Sequence, residues 1–100
     1  MSSSWFVSRH RGAKDWMERQ GWSVDYQVDH LDPAEVAPGD LVCGTLPVHL
    51  AAELCALGAH YYHLVLDLPA DARGRELTAE ELCQYGARLV QFQVMVPERV

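Results

Sequence analysis

Five of the chain's eight basic residues, Arg9, Arg11, Lys14, Arg73 and Arg75, fall in two short stretches, and His10 sits inside the first. Guanidinium groups present fork-shaped donor sets that match phosphate oxygens. A loop ending at Gly12 and leading into a helix would add backbone N–H donors and the favourable end of the helix dipole. The two stretches therefore outline a candidate anion site. In it Arg9 and Arg73 stabilise charge, His10 accepts or donates a proton, and Ser8, Arg11, Gly12 and Arg75 contact the ligand. The same cations also read as solvated surface charge balanced by Asp15, Asp71 and Glu76. Gly12, for its part, reads equally well as a permissive turn residue.

A second stretch, Gly44-Thr45-Leu46-Pro47, places a glycine and a hydroxyl where an expected strand passes into an expected helix. Thr45 either caps that helix or aims its hydroxyl, with the neighbouring Gly44 and Leu46 amides, at a ligand. His49 follows in the helix's first turn, as a ligand contact or an exposed bystander. A metal site is not expected. His60 and His63 are three apart in an expected strand, a spacing that sends them to opposite faces. Asp29-His30-Leu31-Asp32 carries ligand-type side chains, but its aspartates bracket a turn and have capping work to do. No GxxxxGK[ST], GxGxxG or CxxC occurs. The sequence marks of ATP hydrolysis, dinucleotide oxidoreduction, zinc ribbons and thioredoxin-like redox chemistry are thus missing. No cofactor is expected. Trp16, Tyr61, Tyr62 and Tyr85 read as core or subunit contacts, with base stacking the alternative.

The elements that must position these groups follow from apolar spacing and from glycine and proline. Trp5-Phe6-Val7 predicts a strand feeding a loop at Ser8–Gly12. Ala13–Gln20 predicts a helix with Ala13, Trp16 and Met17 on one face, stopped at Gly21. Trp22–Val28 alternates with period two, as in a half-buried strand. Asp29–Asp40 predicts a loop with room for one helical turn. A third strand is expected at Asp40–Thr45. A second helix follows at Pro47–Leu57, buried through Leu50, Ala51, Leu54, Cys55 and Leu57. Tyr61–Leu66 predicts a central strand covered on both faces. After a loop at Asp67–Glu76, Thr78 and Glu81 form the capping box of a third helix. Arg88–Val96 predicts the last strand. The order β-α-β-β-α-β-α-β argues for an α/β layered domain, its sheet of about five strands mostly parallel, with three helices. Ligands in such sheets sit beyond the carboxyl ends of the strands. The loops Ser8–Gly12, Gly44–Pro47 and Asp67–Arg75 are expected there.

Composition sets the outer bounds. One hundred residues suit one domain, 1–100, and 49% hydrophobic residues suffice for a core. The formal charge of −6 argues against general affinity for long nucleic acid, which needs many phosphate contacts. It leaves room for a small anion held by a local basic patch. Neither a signal peptide nor a membrane span is expected, since charged residues and histidines interrupt the richest apolar region, Leu46–Leu68. A soluble, cytoplasmic protein is expected. Its three cysteines, Cys43, Cys55 and Cys83, then read as reduced thiols packed as small hydrophobes.

Taken together, the motifs resemble the small type III CRISPR-associated accessory proteins of the Csx-sixteen kind. The resemblance rests on Ser8-Arg9-His10 with Gly12-Ala13 and Trp16, on Asp29-His30-Leu31-Asp32, and on Pro38-Gly39-Asp40-x-Val42-x-Gly44-Thr45-Leu46-Pro47-Val48-x-Leu50-Ala51-Ala52. It continues through Gly58-Ala59-x-Tyr61-x-His63-Leu64, Leu66-Asp67-x-Pro69 and Arg73-Gly74-x-Glu76-Leu77-Thr78, so that it spans about residues 5 to 90. It implies a Rossmann-like domain, a minimal relative of the larger CRISPR-associated Rossmann-like domains. It also implies a homodimeric ring nuclease that linearises cyclic tetra-adenylate without a metal and so switches off type III CRISPR signalling. The residue reading is compatible with this: a ring of two-fold symmetry suits a two-fold dimer that presents Arg9 and Arg73 twice. Cleavage would proceed by attack of a ribose 2′-hydroxyl on the adjacent phosphorus. Ser8 and Thr45 would orient phosphate or ribose. The competing expectations are a non-catalytic binder of the same messenger and an interaction protein without a nucleotide ligand.

Overall fold

The computed structural model describes residues 2–8, 11–74 and 76–97, with Arg11 described by its backbone alone. The expected element order is present. It runs β1 (Ser4–Val7), α1 (Arg11–Arg19), β2 (Tyr26–Val28), a 3-10 turn at Pro33–Glu35, β3 (Leu41–Gly44), α2 (Val48–Leu57) and β4 (His60–Val65). A second 3-10 turn at Ala70–Ala72, α3 (Ala79–Gln84) and β5 (Arg88–Phe92) complete it. The five strands form one sheet in the order β2-β1-β3-β4-β5. Every neighbouring pair is parallel except β4 with β5, which is antiparallel.

Strand alternation divides the core in two. Phe6, Cys43 and Leu64 point to one face, where Ala13, Trp16 and Met17 of α1 and Ala79 and Leu82 of α3 cover them. Trp5, Val42 and Tyr61 point to the other face and meet Val36, Leu46, Ala51, Leu54 and Ala59. Leu54 and Leu82 are fully buried, and truncating either to alanine would cost about 2–5 kcal/mol. Gly12 lies in the first turn of α1. A Cβ there would come within 2.5–2.6 Å of the Leu77–Ala79 backbone, so the missing side chain lets α1 close against the start of α3.

Several expected boundaries move. Helix α1 begins at Arg11 instead of Ala13, which shortens the loop after β1. The strand expected over Trp22–Val28 is confined to Tyr26–Val28. Trp22 and Val24 turn into the α1–α3 core instead. Ahead of the strand, the Asp25 carboxylate accepts from the Ser4 N–H at 2.8 Å, and the Ser4 hydroxyl bonds the Ser23 carbonyl. The last strand ends at Phe92 instead of Val96; beyond it the Val94 N–H donates to Cys55 Sγ at 3.4 Å. Helix α2 begins at Val48, with Pro47 as its N-cap and no side-chain cap, so Thr45 does not cap it. Leu57, expected in the buried stripe of α2, is 41% exposed. The capping box of α3 forms as expected: the Thr78 N–H donates to Glu81 Oε1 and the Glu81 N–H to Thr78 Oγ1, both at 3.2 Å.

Candidate functional site

Strand β1 has β2 on one side and β3 on the other, and α1 and α2 lie on opposite faces of the sheet. The chain's winding direction reverses between β1 and β3, where the carboxyl ends of parallel strands leave a crevice. A cleft of about 570 Å³ opens at this edge, lined by Val7, Ser8, Asp29, Thr45, His63, Leu64, Val65, Leu66 and Leu68. Its volume falls within the range of small-ligand sites, about 300–1,000 Å³. Apolar walls come from β1, β4 and the segment after β4. Among the described residues its polar side chains are two hydroxyls, one carboxylate and one imidazole.

The floor between β1 and β3 is set by Gly44, paired with Val7. Its φ is +149°, and a Cβ would intrude on the Val7 carbonyl oxygen, so only glycine lets the strand ends approach this closely. Behind the floor lies a network centred on the Tyr61 hydroxyl. The Leu46 N–H donates to it at 3.0 Å. The hydroxyl stands 3.3 Å from the Gly44 carbonyl oxygen and 2.6 Å from His63 Nδ1. Burial pushes the Tyr61 pKa up, outweighing the Leu46 N–H that favours the phenolate, so the phenol keeps its proton at neutral pH. That proton goes either to His63 Nδ1 or to the Gly44 carbonyl. In the first arrangement the neutral imidazole carries its hydrogen on Nε2; in the second Nδ1–H donates to the phenol oxygen. Both leave His63 held through Nδ1.

The structure brings only some of the expected site residues together. Ser8 and Thr45 line the cleft. Gly44 shapes it, with its carbonyl facing Tyr61. Leu46 turns inward: its side chain is in the core and its amide is engaged by Tyr61, which leaves no donor for a ligand. Gly12 is part of the α1–α3 contact. His49 is exposed in the first turn of α2. Arg73 is exposed just after the second 3-10 turn, in the loop beyond β4, and does not itself line the cleft. Arg9, His10, Arg75 and the Arg11 side chain lie outside the described residues. Arg9 and His10 directly follow Ser8 of the cleft in the chain. Arg19 and Arg88, outside the two basic stretches, are held by Glu80 at 3.2 Å and by Asp67 at 3.4 Å.

Two residues enter the site that the candidate set did not contain. Asp29 lines the cleft, whereas Asp32 caps the first 3-10 turn by accepting from the Ala34 N–H at 3.0 Å. His63 is the other. The Tyr61-x-His63 spacing carried the signal, since residues two apart in a strand share a face. Among the described residues no group of three or more His, Cys, Asp or Glu side chains could hold a metal ion. Burial pushes the Cys43 thiol up to about 12, so it stays protonated and is no nucleophile at neutral pH. No helix among the described residues is long and apolar enough to cross a membrane.

A family model described as "Putative CRISPR-associated protein (Cas_VVA1548)" matches residues 5–95. No curated protein and no solved structure matches the chain.

Proposed function

The chain belongs to this CRISPR-associated family, whose model spans nearly its whole length, and from that premise we propose that it is a ring nuclease for cyclic tetra-adenylate acting in type III CRISPR signalling. The observation that carries the reading is the cleft at the β1–β3 reversal, with hydroxyl, carboxylate and imidazole groups at the strand ends. The basic stretch that begins at Arg9 directly follows Ser8 of the cleft in the chain. Phosphate and ribose present complementary chemistry. Cations and hydroxyls suit phosphate oxygens, while the Asp29 carboxylate suits ribose hydroxyls, being an acceptor only.

The reaction needs no external reagent. A ribose 2′-oxygen forms a bond to the adjacent phosphorus as its proton passes to a base. The bond from phosphorus to the 5′-oxygen breaks, and the leaving oxygen takes up a proton. The ring opens with a 2′,3′-cyclic phosphate at one end and a 5′-hydroxyl at the other. Alignment, proton transfer and stabilisation of the phosphorane charge are what a protein supplies here. Arg9 and Arg73 stabilise the charge, His10 is a proton carrier, and Ser8 and Thr45 orient the ligand. A four-nucleotide ring exceeds one such cleft, which favours a homodimer that presents two.

The test is incubation of the purified protein with cyclic tetra-adenylate in EDTA, with products separated by chromatography. Linear products over many turnovers are expected. Arg9→Ala and His10→Ala should each lower turnover by ~10²-fold or more while leaving the fold intact. An intact ring after prolonged incubation with excess protein overturns the nuclease reading. If that intact ring is recovered bound in stoichiometric amount, the protein is a sequestering binder.

A further inference from the structure

The hydrogen-bond network behind the cleft assigns more than the family does. We propose that Tyr61 and His63 act as a unit: Tyr61 is a positioning residue that fixes the imidazole through Nδ1, and His63 Nε2 exchanges a proton with the bound ligand. This rests on the ligand reading above and adds a second proton-transfer group beside His10.

The argument is geometric. Tyr61 and His63 stand two apart on β4, on the face that α2 covers. Tyr61 is 2% exposed and fixed at its hydroxyl by the Leu46 N–H. It therefore cannot swing away from the 2.6 Å contact with Nδ1. His63 is half-buried and its ring packs 5.5 Å from that of Phe92 on β5, which limits rotation on the other side. One nitrogen is occupied, and the residue lines the cleft. An imidazole anchored by one nitrogen presents the other in a fixed direction, as acid–base catalysis requires.

Few ionisable groups face His63. Tyr61 faces it from its own strand and keeps its proton. Gly44 pairs with it from β3 and Val90 from β5, with Phe92 beside it; none of these titrates. Asp29 shares the cleft. Among the described residues lining the cleft, Asp29 carries the one carboxylate and His63 the one imidazole.

Two measurements decide the proposal. The first follows the His63 ring nitrogens by ¹⁵N NMR during titration with cyclic tetra-adenylate carrying 2′-O-methyl groups, which lacks the attacking hydroxyl. The Nε2 signal is expected to move, with Nδ1 remaining hydrogen-bonded. The second compares single-turnover cleavage of the unmodified ring across pH 5 to 9. His63→Gln should keep ring affinity within a few fold, slow cleavage by ~10²–10⁴-fold and flatten the pH profile. Tyr61→Phe retains the imidazole and should slow cleavage about tenfold while displacing the pH limb. A purely structural role for Tyr61 would lower the melting temperature and leave that limb in place, which overturns its part. His63→Gln cleaving at the wild-type rate, or His63 signals unmoved by the methylated ring, overturns the proposal. Should the wild-type protein leave the natural ring intact, the nuclease reading falls. The spectra then decide alone, a moved Nε2 signal supporting the contact and an unmoved one removing it.

Discussion

Asp40 shows how a buried charge can be structural. Its carboxylate is 3% exposed and accepts from the Ser3 N–H at 2.9 Å, the Ala37 N–H at 3.0 Å and Trp5 Nε1 at 3.1 Å. Burial alone would raise its pKa, but the three donors outweigh it and hold the carboxyl below the ordinary value. A lowered folded pKa means the unfolded chain binds the proton more readily. The stabilisation is therefore present above the unfolded pKa, about 3.9, and is lost as pH falls through the folded value. Acid unfolding followed by circular dichroism should show a loss of stability below about pH 4, and Asp40→Asn should blunt it. Asp40→Ala, which orphans three donors, should cost roughly 2–4 kcal/mol in denaturant melts. An Asp40→Ala variant as stable as wild type would remove this carboxylate as the tie between β1, the Pro38 turn and β3. The sequence places Asp40 beside Pro38-Gly39, where the expected loop passes into the third strand. Its acceptance of bonds from Ser3 and Trp5, more than thirty residues away, depends on strand order and could not be read locally.

At the scale of elements, apolar runs, period-two and helical spacing and the capping box of α3 pointed to each strand and α-helix among the described residues because these signals are local. The ends were less legible wherever a side chain took over from the backbone ladder. Asp25 does so ahead of β2, and Cys55 takes up an N–H beyond β5. Strand order was out of reach, since it depends on which distant strands pair. The cleft was accordingly foreseen as an edge of the sheet and through Ser8 and Thr45, but not as the meeting of Asp29 with His63. The junction of β3 with α2 tolerates little change. Gly44→Ala would push a methyl group against the Val7 carbonyl in a conformation that L-residues rarely adopt. It should destabilise the fold by about 1–3 kcal/mol and separate the strand ends that floor the cleft. Ring affinity should fall with it. Thermal melts and ring titrations on the variant check both effects, and wild-type behaviour in the two would show that the approach of β1 to β3 is not needed.

At the scale of the whole molecule, the proposed anionic ligand has to be reconciled with a formal charge of −6. Local placement would do this: Arg19 and Arg88, outside the two basic stretches, are spent on ion pairs, while the cations of the stretches follow β1 and β4 in the chain. On the proposed function, a four-phosphate ring would need this patch twice, and the subunit arrangement would then be part of the site. The three helices cover the sheet unevenly. Two lie on the Phe6 face, whereas α2 on the other face packs over β4 and the first 3-10 turn and reaches the end of β5 through Cys55, leaving apolar side chains of β5 uncovered. There Val90 is 36% and Phe92 43% exposed, with Met95 and Val96 beyond them at 74% and 81%. Phe92 also touches the His63 ring, so this apolar strip adjoins the cleft. A second copy seated on it would remove the strip from water and bring a second cleft close to the first. Sedimentation of the wild-type chain should then give twice its 11.2 kDa. Phe92→Asp should sediment as a monomer and lose cleavage of the ring, with the isolated fold retained by circular dichroism. A wild-type chain that sediments as a monomer, with or without the ring, would show that one cleft must hold the ligand unaided.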